Sequence, residues 1–242
     1  APSAPLAWPP AFPKEPITCV YEGVFPGSGE IGRWRIHAGD PGQYMVSPES
    51  PRQLGGIVAR YIAGHLPGSQ PEGFEVAEGV LVGQERGKGA LFGSVETLDA
   101  SLAFPTGEHG HVTEVMDRET SCGNFSGRIA PGDRWTCRER TEWRWSGEGP
   151  GVQPVGSAKS TEDLQYEYLE DVETKGPDGR PVRAAKIAIM SDDSIERHLV
   201  DPALPWCALQ VERLKMGQVV GTDRLIASNR QARHDYDVLE SI

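Results

Sequence analysis

Glycine and proline set the first limit on what this chain can fold into. It carries 29 Gly and 20 Pro among 242 residues, spread along its whole length. Proline removes a backbone donor and glycine weakens a helix interior, so a chain divided this way favours short strands joined by turns over long helices. The expected fold is mainly β: an antiparallel curved sheet, closed as a barrel or stacked as a sandwich. A closed or covered sheet also hides edges that would otherwise pair with other chains.

The hydrophobic pattern refines this. Residues 1–16 hold Pro2, Pro5, Pro9, Pro10, Pro13 and Pro16 around Trp8 and Phe12, and read as an extended arm that docks on its own domain or on a neighbour. Residues 17–242 then form a single β-rich domain, with the Gly- and Pro-rich stretch near 147–157 as a candidate internal boundary. Ile17–Phe25 and Arg33–His37 read as a hairpin. Val76–Val82, Ala90–Leu98 and Val112–Met116 are further strands. Trp135–Trp145 alternates most clearly, with Trp135, Cys137, Thr141, Trp143 and Trp145 on one face, interrupted by Glu139, and Arg134, Arg138, Arg140 and Arg144 on the other. Asp178-Gly179 between Leu164–Val172 and Val182–Met190 signals a second hairpin, and Gly217 a third between Ala208–Met216 and Val219–Ala227. The exception is an amphipathic helix over about 51–64, packed on the sheet. Leu54, Ile57, Val58, Tyr61 and Ile62 share one helical face, Ser50 can cap it and Pro51 suits its first turn.

Composition excludes some partners. The formal net charge of −11 disfavours general nucleic-acid binding and anionic lipid, both of which require cations. There is no run of about 20 apolar residues, so no helical membrane span is expected. Cys122 and Cys137 enclose a turn-rich loop and are expected to form a disulfide. Cys19 and Cys207 either tie the two ends of the domain together or remain as buried thiols. The cysteines, with the small residues at the start, point to an extracellular or periplasmic protein, with a cytoplasmic one as the alternative.

No motif fixes a chemistry. Gly27-Ser28-Gly29-Glu30-Ile31-Gly32 matches a dinucleotide loop in spacing but leads into a strand, where that site requires a helix. His109 and His111 would face the same way on a strand and, with the carboxylates Glu108 and Glu114 near, form a candidate Zn or Cu site, with His37, His65 or His198 available as a third ligand. Ser194, His198 and nearby Asp192, Asp193 and Asp201 hold hydrolase residue types without a nucleophile elbow. Asn124-Phe125-Ser126 is a glycosylation sequon. Arg134, Arg138, Arg140 and Arg144, with Arg33 and Arg35, offer guanidinium groups to an acidic partner or an anion. Trp34, Trp135, Trp143 and Trp145 are candidates to line an apolar ligand pocket.

Taken together, these features favour a non-enzymatic exported β domain that binds a partner protein or an apolar small ligand, with no cofactor. One alternative is an enzyme on the same scaffold, either metal-assisted through His109 and His111 or a lyase or cyclase in an aromatic pocket. Another is a structural subunit whose arm wraps a neighbour.

Overall fold

The computed structural model describes residues 5–25, 30–39, 42–48, 75–88, 91–123, 125, 127–150, 155–192 and 194–229. Among them are fourteen strands: β1 (Leu6–Ala7), β2 (Ile17–Phe25), β3 (Glu30–Ala38), β4 (Gln43–Pro48), β5 (Glu75–Lys88), β6 (Leu91–Ala103), β7 (His109–Ser121), β8 (Arg128–Ile129), β9 (Arg134–Glu148), β10 (Val155–Lys175), β11 (Pro181–Met190), β12 (Ser194–Val200), β13 (Gln210–Lys215) and β14 (Gln218–Ser228). All except β1 and β8 pair antiparallel in one closed barrel, in the order β10-β11-β12-β13-β14-β2-β3-β4-β5-β6-β7-β9. The ring closes where β9 meets β10, from Trp135 opposite Tyr166 to Ser146 opposite Val155. The fold is therefore the expected antiparallel barrel. No helix occurs among the described residues, and the segment 51–64 expected to be helical lies outside them.

The loop near 147–157 joins β9 to β10, which pair with each other, so strands on both sides of it belong to the same barrel. Of the Gly27–Gly32 stretch, Glu30–Gly32 already belong to strand β3, where the dinucleotide loop needs a helix, and residues 27–29 lie outside the described residues.

Alternation decides which side chains face inward. On β9, Trp135, Cys137, Glu139, Thr141, Trp143 and Trp145 share the face of Tyr166, Leu164, Glu162, Ser160, Ala158 and Gly156 on β10. The same face continues around the ring through Glu114, Met116 and Arg118 on β7 and Leu98, Glu96 and Ser94 on β6. Leu98, Met116 and Tyr166 are buried, while outward Arg138, Arg140 and Arg144 are exposed. This outer face of β7, β9 and β10 is charged, the opposite of the apolar band a transmembrane barrel presents to lipid.

Two aromatic clusters plug one end. The arm is tied in by β1 pairing with β8, so Leu6 lies opposite Ile129, and by the Trp8 amide donating to the Gly127 carbonyl at 2.9 Å. Trp8 meets Trp135 and Tyr166 edge-on, and Trp135 is stacked between Phe125 and Tyr166 at 5.0 and 5.2 Å. The Cys122–Cys137 disulfide joins this cluster to the wall. In the second cluster Phe12 and Tyr44 pack edge-on against Trp206, whose loop the Cys19–Cys207 disulfide fastens to β2. The second pair thus forms the bridge that sequence left open. Over the same end, β10 pairs with β11 as far as Lys175, but with β9 only as far as Glu167. The tip of that hairpin therefore overhangs the rim.

Rings lying flat on the inner wall need glycines beneath them. The Tyr44 ring covers Gly83 directly across the β4–β5 ladder, and the Trp145 ring covers Gly156 across β9–β10; a Cβ at either glycine would overlap the ring. Gly83→Ala should lower stability by about 1–3 kcal/mol through this overpacking, whereas Thr97→Ala on the outer wall should change it by less than about 0.5 kcal/mol. Paired chemical denaturation curves check this.

Candidate functional site

The interior is charged as well as aromatic. Twelve strands spaced about 4.8 Å apart and tilted by about 37° to the axis enclose a backbone cylinder roughly 23 Å across, wider than the eight-stranded barrels that side chains fill. The inner face accordingly carries ions as well as rings. On β7, Arg118 lies 3.5 Å from the Glu139 carboxylate on β9, and the hydroxyls of Thr120 and Thr141 donate to that same carboxylate. On β12, Glu196 is bonded to His198 Nε2 at 2.9 Å and approached by Arg213 at 3.6 Å; Arg213 also pairs with buried Asp223 on β14.

These groups meet in the interior. Burial pushes the Glu196 carboxyl up, but the hydrogen bond and charge of His198, with the charges of Arg213 and Arg118, outweigh that and hold it below the ordinary range. Arg118 acts on it from the β7 side of the ring, and Tyr166 feels Glu139, Arg118 and Glu196 at once while burial raises its hydroxyl well above the ordinary value. The space between the walls admits water: 40% of the Arg118 side chain and 39% of Glu196 are accessible, and Ser160, which faces inward opposite Thr141, is exposed. A second inward group lies near the plugged end. Tyr44 donates to Glu96 at 2.5 Å and Trp206 Nε1 to Glu85 at 2.9 Å, with burial raising the Glu85 carboxyl.

The four tryptophans read as pocket residues all lie on the inward face but not together. Trp135 belongs to the plug. Trp34 is stacked on Tyr21 at 6.0 Å and covers Gly23. Trp143 lies opposite Met116 and Ala158, and Trp145 opposite Glu114 and Gly156, towards the other end. The arginine row lies outside, and two of its four members are matched by acids. Arg134 bonds Glu167 at 2.7 Å, Arg138 holds both oxygens of Asp163 at 2.7 and 2.9 Å, Arg140 stands opposite Glu119, and Arg144 lies opposite Val115.

His109 and His111 begin β7 at the rim. His111 lies 3.4 Å from Asp99, while Glu114 faces the interior, so these groups do not converge. Among the described residues no group of three or more His, Cys, Asp or Glu is placed to hold a metal ion. The Ser194 hydroxyl bonds Ser191 and the His198 ring bonds Glu196, so the hydrolase residues do not assemble; Asp201 instead accepts from the Ala203 amide. Asn124 and Ser126 of the sequon, and His65, lie outside the described residues. The inward ions Glu85, Glu96, Arg118, Glu196, Arg213 and Asp223 were missed in the sequence, where each reads as a solvated charge, and Glu114 reads there only as a carboxylate beside His109 and His111. The only signal was Glu139, a carboxylate on the apolar face of its strand.

Comparison with protein-family models, curated proteins and solved structures finds no match to this chain.

Glu114 supplies a titration test. It is 2% exposed and burial pushes its carboxyl up to about 7. A carboxyl raised by folding keeps its proton longer in the native state, so stability falls as pH rises from about 4.5 to about 7, and the full penalty applies above that. Glu114→Gln should therefore stabilise the protein by about 1–3 kcal/mol at pH 8 and change it little at pH 4. Urea denaturation at the two pH values measures the difference.

Proposed function

We propose that the protein is an exported barrel that binds a small organic ligand in its interior without transforming it. The observation that carries this reading is the set of water-accessible ions on the inner wall, Arg118 and Glu139 on β7 and β9 and Glu196, His198 and Arg213 on β12 and β13, inside a closed ring plugged at one end. A packed structural core would not leave such groups hydrated. Rings on the same wall, Trp143 and Trp145 among them, supply stacking area beside polar groups that fix orientation, the usual composition of a ligand site. The ligand class that fits is accordingly amphipathic, with an apolar body and hydrogen-bonding groups, and not purely apolar. A protein partner on the arginine row is less well supported, because two of its four members already carry their own acids. Two disulfides support an extracellular or periplasmic location.

One observation favours a catalytic alternative. The Glu196–His198 pair lies close enough for Glu196 to act on the buried Tyr166 hydroxyl, and a carboxylate-supported imidazole can act as a general base.

Native mass spectrometry of gently purified protein, before and after solvent extraction, tests the proposal. A co-purified organic molecule bound one to one in the native protein, and bound at least tenfold more weakly after Arg118→Ala, is the expected result. Protein of unliganded mass that binds no member of a small-molecule library would contradict it. Turnover of the ligand, abolished by His198→Gln, would favour the catalytic alternative.

A further inference from the structure

A second site lies on the outside of the barrel. The overhanging tip of the β10–β11 hairpin and the ends of β12, β13 and β14 at the plugged rim enclose a cleft of about 570 Å³. That volume is within the range of small-molecule sites, about 300–1,000 Å³. Its floor is apolar, formed by Leu199 with the buried Leu209 and Leu225. Its polar groups are the amide of Gln210 and two cations, Lys175 on the hairpin and Arg224 on the wall.

The charges around the cleft determine what it can hold. The protein is acidic, with a formal charge of −11, yet both charged side chains lining the cleft are positive. The nearby acids are already engaged. Glu22, across the ladder from Arg224, is held by Arg33 at 3.1 Å, Asp178, in the hairpin turn, pairs with Arg180 at 3.4 Å, and Glu212, next on that face of β13, accepts from the Gln210 amide at 2.9 Å. Lys175 and Arg224 form no ion pair among the described residues, and both are exposed. An apolar floor between two uncompensated cations is complementary to a molecule with an apolar body and an anionic head.

We infer that this cleft binds an amphipathic organic anion, its chain or ring on Leu199, Leu209 and Leu225 and its acidic head between Lys175 and Arg224. The site lies at the plugged end, apart from the interior ions: Arg224 and Gln210 are on the outward face of strands whose inward residues are Asp223 and Val211, while Leu209 and Leu225 of its floor belong to the second aromatic cluster that closes the barrel. It does not rest on the interior binding a ligand.

Titration with decanoate, followed by calorimetry and by methyl NMR of the leucines, tests the inference. The folded protein should bind decanoate with shifts at Leu199, Leu209 and Leu225, and decanol at least tenfold more weakly. Lys175→Gln with Arg224→Gln should weaken decanoate at least tenfold and leave decanol unchanged. Lys159→Gln, on another part of the wall, should change neither. Both substituted cleft residues are exposed, and an unchanged circular dichroism spectrum verifies that the double variant is folded. Absence of decanoate binding, equal affinity for decanoate and decanol, or undiminished decanoate binding by the double variant would each overturn the inference.

Discussion

Closure of the sheet between β9 and β10 is the constraint from which the rest of the structure follows. Joining the twelve barrel strands removes every edge of that sheet, but it also fixes a circumference too large for aliphatic side chains to fill the middle. Large rings take up part of the space. The remainder holds ions, which water and one another stabilise, so that Arg118 senses Glu196 from four strands away around the ring. Hydrated ions in the interior therefore follow from the strand number.

A wide barrel also needs its ends closed, and the sequence meets that need with pieces remote from one another. The N-terminal arm brings Trp8 and Phe12, the loop after β12 brings Trp206, and β9 brings Trp135. Each plug is fastened to the wall by a disulfide, Cys122–Cys137 in one and Cys19–Cys207 in the other. In the chain-entropy account, loops of 15 and 188 residues contribute about 3 and 5 kcal/mol respectively by restricting the unfolded chain. The overhang of the β10–β11 hairpin covers the same end and, as a by-product, creates the outer cleft. Plug, disulfides and cleft all gather at one end, leaving the ionic interior between that end and the rims where Trp143 and Trp145 stand.

Much of the architecture was legible because period-two alternation is a local property. Trp135–Trp145 declared both its faces, and the Asp178-Gly179 turn declared its hairpin. Cys122 and Cys137 declared their loop for the same reason. What was not legible depends on closure, which is a global property. Arg118 reads as an exposed charge because nothing within β7 says that its polar face looks across a cavity. Glu139 looked like an interruption when it is a hub for Arg118, Thr120 and Thr141. His109 and His111 drew attention through spacing alone, and the register that places Glu114 on the other face was needed to see that they do not converge with it. The pairing of Cys19 with Cys207 stayed open because it spans nearly the whole chain.

The most direct test concerns whether the interior is an enclosed, water-filled space. All four cysteines are in disulfides, so a single introduced thiol can be followed without background. Ser160 and Thr161 are neighbours on β10, both exposed, one facing Thr141 across the inner wall and the other beside Arg140 on the outer one. In folded Ser160→Cys, a small charged methanethiosulfonate should react readily while a maleimide bearing a large polymer should not; in Thr161→Cys both should react. Resistance of Ser160→Cys to the small reagent would mean a filled core, and equal reaction of both variants with the large one would mean that no enclosed interior exists.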